Sequence, residues 1–129
     1  MGQNRTLVLK ASGAVGAAGG NSATFTNRDG RGVTVFVKNT AGSGTNPTVT
    51  VKLQENVPGA GWVDVTGATT AAIAGGTPGT TAFTVYPGVT VASNAGVSRP
   101  LGKVWRVAWA IGGTSTPTVT FSVDAQVHA

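Results

Sequence analysis

A strand, turn and strand pattern occurs twice in this 129-residue chain and constrains its fold more than any other feature. Residues 33–53 and residues 104–127 each contain an apolar strand, a Gly/Thr-rich segment, an X-Pro pair and a second strand of alternating apolar and polar residues. The X-Pro pairs are residues 46–47 and residues 116–117. Period-two alternation places successive side chains on opposite faces of a strand, and Gly-rich segments followed by X-Pro favour turns. Each repeat therefore predicts an antiparallel hairpin with one buried and one solvated face.

The composition extends this prediction to the whole chain. The sequence contains 20 Thr, 20 Gly and 19 Val, which favours strands joined by tight turns and disfavours long helices. Shorter strand candidates separated by Gly and Pro occur at residues 6–10, 23–26, 62–65, 69–73, 82–86 and 88–92. About eight to ten short strands at such intervals are typical of a sandwich or jelly roll. We expect an all-β, antiparallel, jelly-roll-like β-sandwich that forms a single domain over residues 1–129.

The N-terminal segment has a different character. Residues 6–10 form a short apolar stretch, and the Gly/Ala-rich run that follows, residues 11–20, is too small and flexible to hold itself in place. We expect residues 1–20 to form an extended arm that is either flexible or docked on a neighbouring subunit.

The residues that chemistry requires are scarce. The chain has no cysteine and one histidine, His128, and its four carboxylates are Asp29, Glu55, Asp64 and Asp124. Neither the spacing of the carboxylates nor the sequence around the histidine matches an acid–base pair, a catalytic triad or a metal site. The sequence predicts a protein that is not an enzyme and that has no metal or cofactor.

The charge content indicates the kind of partner. Only 10% of the residues are charged, against about 25% in typical soluble domains, and a protein packed in an assembly needs less surface charge than a free monomer. A free, Thr-rich soluble sandwich is the alternative. The net charge of +5 is scattered along the chain rather than arranged as a stripe, so we expect no direct nucleic-acid partner, and no 18-residue apolar span predicts a membrane segment.

The tryptophans leave two interpretations open. Trp62, Trp105 and Trp109 each lie beside valine or alanine in a strand candidate, which favours core or interface packing. If they were exposed, these tryptophans and Tyr86 would instead form a platform on which sugars stack.

Four short segments resemble the block found in small structural proteins of tailed bacteriophages. They are residues 62–69 (WVDVTGAT), 86–89 (YPGV), 103–107 (KVWRV) and 111–113 (IGG). The nearest class is the capsid decoration, or cement, proteins, and the resemblance covers roughly residues 33–127.

The resemblance implies a structural virion protein without catalytic residues. Such a protein is made in the host cytoplasm, binds the outer surface of the capsid and stabilises the shell by bridging capsid subunits. Its partners would be the major capsid protein and neighbouring copies of itself, which we expect to form a homotrimer. For the partner contacts we select Arg5, Leu7 and Leu9 on the arm and Arg28 and Arg31 in the Asp-Gly turn.

Two further functions fit the same residues. One is a glycan- or receptor-binding module of a head fibre or tail adhesin, in which exposed aromatic rings stack on sugars. The other is a subunit of a tail tube or another phage ring, which would assemble without a capsid.

Overall fold

The structure, a computed structural model, describes residues 4–28 and 30–129, which contain nine β-strands and no helix. The all-β prediction is confirmed. The strands are β1 (Arg5–Val15), β2 (Gly20–Asn21), β3 (Phe25–Thr26), β4 (Gly32–Val57), β5 (Gly61–Thr69), β6 (Ile73–Ala74), β7 (Gly79–Val85), β8 (Gly96–Val97) and β9 (Val104–His128).

The two long strands organise the sheet. The main strand order is β1-β9-β4-β7-β8, while β2 and β3 also pair with β9, and β5 and β6 also pair with β4. The pairs are antiparallel except for β7 and β8, which are parallel. Because β4 and β9 are both central, the remaining strands extend the sheet from their two outer sides.

The predicted pairing within each repeat is wrong. Residues 33–37 do not form a hairpin with residues 46–51, because β4 continues through both segments and pairs with β9 from Gly32 opposite His128 to Glu55 opposite Trp105. The strands of the two repeats therefore pair with each other. Alternation specifies which face of a strand is buried, but several strands with the same alternation satisfy it equally well.

The X-Pro segments bend the paired strands instead of reversing them. Backbone φ is positive at Gly44, Asn46, Gly113, Ser115 and Thr116, all within the segments that the sequence marks as turns. The two bends lie against each other, since a Cβ on Gly44 would be 2.8 Å from Pro117 Cα. Both long strands therefore change direction at the same place.

This bend folds the sheet into two layers. The first layer contains β1, β7, β8 and the halves of β4 and β9 on one side of the bend; the second contains β2, β3, β5, β6 and the other halves. Trp109 of the second layer meets Phe121 of the first edge-on, with ring centroids 5.8 Å apart. The structure is thus a β-sandwich, as the sequence predicts.

The core lies between the layers and has the predicted alternation. Val49, Val51 and Leu53 are fully buried on β4, as are Val119 and Phe121 on β9. Trp105 is 1% exposed, and β9 is flanked by strands on both sides. The nearly continuous apolar pattern of residues 103–111 therefore reflects a central strand.

The N-terminal segment differs from the predicted arm. Arg5–Val15 is strand β1, which pairs with β9 of its own chain from Arg5 opposite Val127 to Val15 opposite Val119. Leu9 is 6% exposed and belongs to the core. Residues 5–15 are therefore part of the sandwich, because burying Leu9 and completing an edge of the sheet satisfies this segment within one chain; residues 1–3 lie outside the described residues.

The side chain of Lys10 bonds to backbone carbonyl groups at the irregular part of β1. Where the β1 register shifts, Lys10 Nζ donates hydrogen bonds of 2.9–3.1 Å to the carbonyl oxygens of Ala11, Gly13 and Phe121. The ammonium also lies 4.4 Å from the centroid of the Phe121 ring, an attractive cation–π arrangement. Partial burial lowers the pKa of Lys10 below its usual value of 10.5.

Candidate functional site

Four exposed basic side chains lie near one end of the sandwich. Arg5 pairs with Val127 at the end of β9, and the Arg31 N–H donates to the His128 carbonyl at 2.7 Å. Arg5 and Arg31 therefore flank the same end of β9, about two strand spacings of roughly 4.8 Å apart. We call the exposed residues Arg5, Arg28, Arg31 and Lys103 the basic end.

The loop that carries two of these arginines is held by hydrogen bonds. Asn27 Nδ2 donates to the Gly30 carbonyl at 2.8 Å, and the Gly30 N–H donates to Asn27 Oδ1 at 2.9 Å. The Asn27 N–H donates to the Lys103 carbonyl at 2.6 Å and thereby brings Lys103 beside the loop. Sequence reasoning selected Arg28 and Arg31 but missed Lys103, whose position depends on a contact between distant segments.

Arg99 belongs to a segment that contacts this loop, since the Leu101 N–H donates to the Arg31 carbonyl at 2.8 Å. The side chain of Arg99, however, is paired with a carboxylate. Its Nη2 atom forms a salt bridge of 2.6 Å with Glu55 Oε1, and the Gly102 N–H donates to the other Glu55 oxygen. Glu55 is 8% exposed. These contacts fasten residues 99–102 to β4 and leave the basic end to the four residues named above.

The two leucines selected as partner contacts face inward. Leu9 is in the core and Leu7 packs against it, so their side chains stabilise the sandwich instead of forming an outer contact surface. The exposed large apolar residue of β1 is Val8, at 67%. It lies on the face opposite to Leu7 and Leu9 because neighbouring residues in a strand alternate. Alternation does not say which of the two faces is buried, and the pairing of β1 with β9 decides this.

The outer face of the first layer is broad, and its two charged residues are Lys38 and Asp124. Register places Val8, Asp124, Phe36 and Ala82 in one row across β1, β9, β4 and β7. Phe36 is 37% exposed. We call this surface the threonine face, and its members are Thr6, Val8, Thr34, Phe36, Lys38, Thr80, Ala82, Thr84, Ser122, Asp124 and Gln126.

The outer face of the second layer carries a connected polar network. Asp64 accepts hydrogen bonds of 2.9 Å from Lys52 Nζ and from Gln54 Nε2 through its two carboxylate oxygens. Arg106 Nε donates to Gln54 Oε1 at 2.9 Å, and the guanidinium carbon lies 4.1 Å from the centroid of the Trp62 ring. Hydrogen bonds first from Gln54 and then from Lys52 lower the pKa of Asp64 below its usual 3.8. Five side chains from three strands are thus held in one arrangement.

A trough lies beside this network. It has a volume of about 410 Å³ and is bordered by β2 on one side and β4 on the other, with Ala108 and Ala110 of β9 between them. Asn21, Thr50 and Lys52 contribute polar groups to its sides. Sequence reasoning considered the neighbouring tryptophans for ligand binding but missed the trough, because β2 and β4 come together only through β9.

Metal sites and membrane-spanning helices each have a recognisable arrangement of residues. In residues 4–28 and 30–129, no three side chains of His, Cys, Asp or Glu are grouped as they would be around a metal ion. The same residues include no helix capable of spanning a membrane.

Comparison with known proteins gives likeness of fold only. No family model and no curated protein sequence matches this chain. A chain in the structure of infectious bursal disease virus, Gx strain, is similar over 98% of this chain and 32% of its own length, with 10% identity and a TM-score of 0.53. A CBM4 structure is similar over 78% of this chain and 54% of its own length, with 18% identity and a TM-score of 0.46. The chain therefore shares a jelly-roll-like sandwich with the viral protein.

Proposed function

We propose that this protein is a structural virion protein that binds the outer surface of a tailed-phage capsid and stabilises the shell by bridging capsid subunits. The observation that carries the proposal is the threonine face together with the basic end. Thr, Ser, Val and Phe side chains supply most of this face, so Lys38 and Asp124 are the only charges among its named members that would have to be desolvated when it is covered by another protein. The resemblance of residues 62–69 and 86–89 to decoration proteins supports the same function.

The basic end supplies orientation on the shell. Four cationic side chains at one end of a low-charge molecule favour a partner with an acidic surface, because complementary potentials steer association and fix the docking geometry. The partner would be the major capsid protein. Many modest contacts repeated around a shell then resist expansion through avidity.

The fold is compatible with this function without specifying it. The similarity over 98% of the chain to a viral protein concerns a sandwich that many functions share. We further propose that copies of the protein associate as homotrimers at local three-fold positions of the shell, which sedimentation equilibrium of the purified protein tests directly.

The first experiment counts the protein on the particle. Quantitative mass spectrometry of purified virions should give a ratio to the major capsid protein near one to one or a simple lattice fraction. A few copies per virion would contradict shell decoration and indicate a fibre or tail component, while absence from the virion would overturn the proposal.

The second experiment locates the contact surface on shells assembled from the major capsid protein. Arg31→Glu should reduce co-sedimentation with the shells, whereas Lys52→Glu, the same charge change on the outer face of the second layer, should not. Val8→Glu should likewise reduce binding, and Val91→Glu is its control because these valines are 67% and 73% exposed. If Arg31→Glu and Val8→Glu both bind the shells as well as the unmodified protein does, the basic end and the threonine face are excluded as the contact surface.

A further inference from the structure

The trough on the second layer follows from side-chain size on three adjacent strands. Ala108 is opposite Asn21 of β2 and opposite Lys52 of β4, and Ala110 is opposite Thr50. Small side chains on the central strand thus lie between larger ones on both neighbours. Its walls are about two strand spacings of roughly 4.8 Å apart, and its volume of about 410 Å³ is within the range of roughly 300–1,000 Å³ typical of small-molecule sites.

The sides of the trough offer both donors and acceptors. Asn21 contributes an amide, Thr50 a hydroxyl, and Lys52 an ammonium whose bond to Asp64 engages one of its three N–H groups. Gln54 also lines the trough and is held in position by its bonds to Asp64 and Arg106. A site held by such neighbours loses less entropy when it binds a ligand.

The floor of the trough is apolar and lies over the core. Ala108 and Ala110 face the trough, whereas the Trp109 side chain between them faces inward, because successive side chains of a strand alternate, and its ring meets Phe121 edge-on. A Cβ at Gly20 would be only 2.9 Å from the indole nitrogen Nε1, so the glycine allows β2 to pair with β9 beside this ring.

We propose that the trough binds a neutral oligosaccharide. A sugar hydroxyl both donates and accepts, so it matches a wall that mixes amide, hydroxyl and ammonium groups, while the C–H face of a pyranose packs on the alanine floor. The charge of Lys52 is opposed by Asp64 at 2.9 Å, which favours a neutral ligand over an anion. The trough follows β9, so a linear chain of sugars fits its direction.

This binding activity is separate from attachment to a capsid. The trough is on the second layer, whereas the threonine face is on the first. A shell-bound copy that presented the trough outward would hold polysaccharide at the particle surface.

The test is titration with maltohexaose, cellohexaose and N-acetylchitohexaose, followed by tryptophan fluorescence and by amide shifts in nuclear magnetic resonance (NMR) spectra. We expect saturable binding of at least one sugar, with shifts concentrated at Gly20, Asn21, Lys52 and Ala110. Ala110→Leu should fill the trough and weaken binding at least about tenfold, equivalent to roughly 1.4 kcal/mol. Ala82→Leu, the same change at an exposed position of the threonine face, should bind as the unmodified protein does.

A second variant guards against misfolding of the first. Asn21→Ala removes a polar wall group without adding volume and should also weaken binding, while near-ultraviolet circular dichroism verifies the fold of each variant. No saturable change with any of the three sugars would overturn the proposal. Undiminished sugar binding by both trough variants would also overturn it, and saturable binding of inorganic phosphate alone would identify an anion site instead. Copy number on virions is independent of all these outcomes.

Discussion

At the bend of the two long strands, three residues other than glycine adopt a left-handed backbone. The φ angles are 49° at Asn46, 59° at Ser115 and 56° at Thr116. Asparagine tolerates this region comparatively well, whereas a β-branched residue such as threonine is strained in it. Asn46 and Thr116 each precede a proline, so equivalent positions of the two repeats form the bend.

Replacing the strained threonine should stabilise the protein. Thr116→Gly removes a strain of about 1–3 kcal/mol and costs roughly 0.5–1 kcal/mol through the greater entropy of the unfolded chain. We expect the free energy of unfolding in urea to rise by about 1 kcal/mol. Thr118→Gly is the control and should lower it, since Thr118 lies in β9 and bonds to Ser43 through its hydroxyl. A loss of stability in Thr116→Gly would contradict a strained bend.

The polar network on the second layer predicts the titration of one carboxyl group. In ¹³C NMR spectra, the Asp64 midpoint should lie below 3.8 and should rise in Gln54→Leu, because the hydrogen bond from Gln54 is the largest cause of the lowered pKa. Gln126→Leu, on the outer face of the first layer, is the control and should leave the midpoint unchanged. An identical midpoint in Gln54→Leu would show that this bond does not form.

The same titration has a small consequence for stability. Because the pKa of Asp64 is lower in the folded state, its contribution is fully present above the unfolded value and is lost as pH falls through the folded value. Lys52 and Asp64 have side chains 39% and 55% exposed, so water screens much of this contribution. The second layer is therefore expected to keep its packing in mild acid.

At the scale of the element, β1 is the strand whose role changes most between sequence and structure. Its alternation places Leu7 and Leu9 toward the core and Val8 outward, and its register with β9 shifts between Val8 and Lys10. The segment thus covers one edge of its own sandwich. Its side chains contribute to the stability of a single chain.

A matched pair of substitutions measures that contribution. Leu9→Ala should lower the free energy of unfolding by about 2–4 kcal/mol through lost burial and a cavity, whereas Val8→Ala, at a position 67% exposed, should change it by less than about 0.5 kcal/mol. Urea denaturation of the isolated protein gives both values. Equal and small changes in the free energy of unfolding for both substitutions would contradict a buried β1 and support the flexible or partner-docked arm that the sequence predicts.

At the scale of the whole molecule, β4 and β9 form the central pair although residues 58–103 separate them in the chain. The entropy of closing this loop must be lost before the pair contributes stability. The two layers also share one core, so neither can bury its inner face alone.

This topology predicts slow, cooperative refolding. All-β domains dominated by such distant pairings fold in about milliseconds to seconds, and stopped-flow fluorescence should report this through Trp105, which is 1% exposed. Val35→Ala in the first layer and Val107→Ala in the second layer, both at fully buried positions, should both accelerate unfolding if the two layers unfold together. Refolding within microseconds, or separate unfolding transitions for the two variants, would contradict this description.

The candidate surfaces were predicted only in part. Arg5, Arg28 and Arg31 could be selected because charged residues in turns and at strand ends are usually exposed. Val8, Lys103 and the trough beside Asn21 could not, because each depends on a register or contact between segments far apart in the chain. For the same reason the sequence predicts a partner contact for Leu7 and Leu9, whereas the fold places Leu9 in the core and packs Leu7 against it.

The sequence by itself determined the all-β class, the buried face of each long strand and the positions where the chain bends, since alternation and Gly or X-Pro segments act over a few residues. Only the tertiary structure decided which strands pair, that the repeats join into one bent ribbon and that β1 closes its own sheet. Many pairings satisfy the same alternation, and the one adopted is selected by burying both layers in a common core. The basic end and the trough exist because that selection places distant residues side by side.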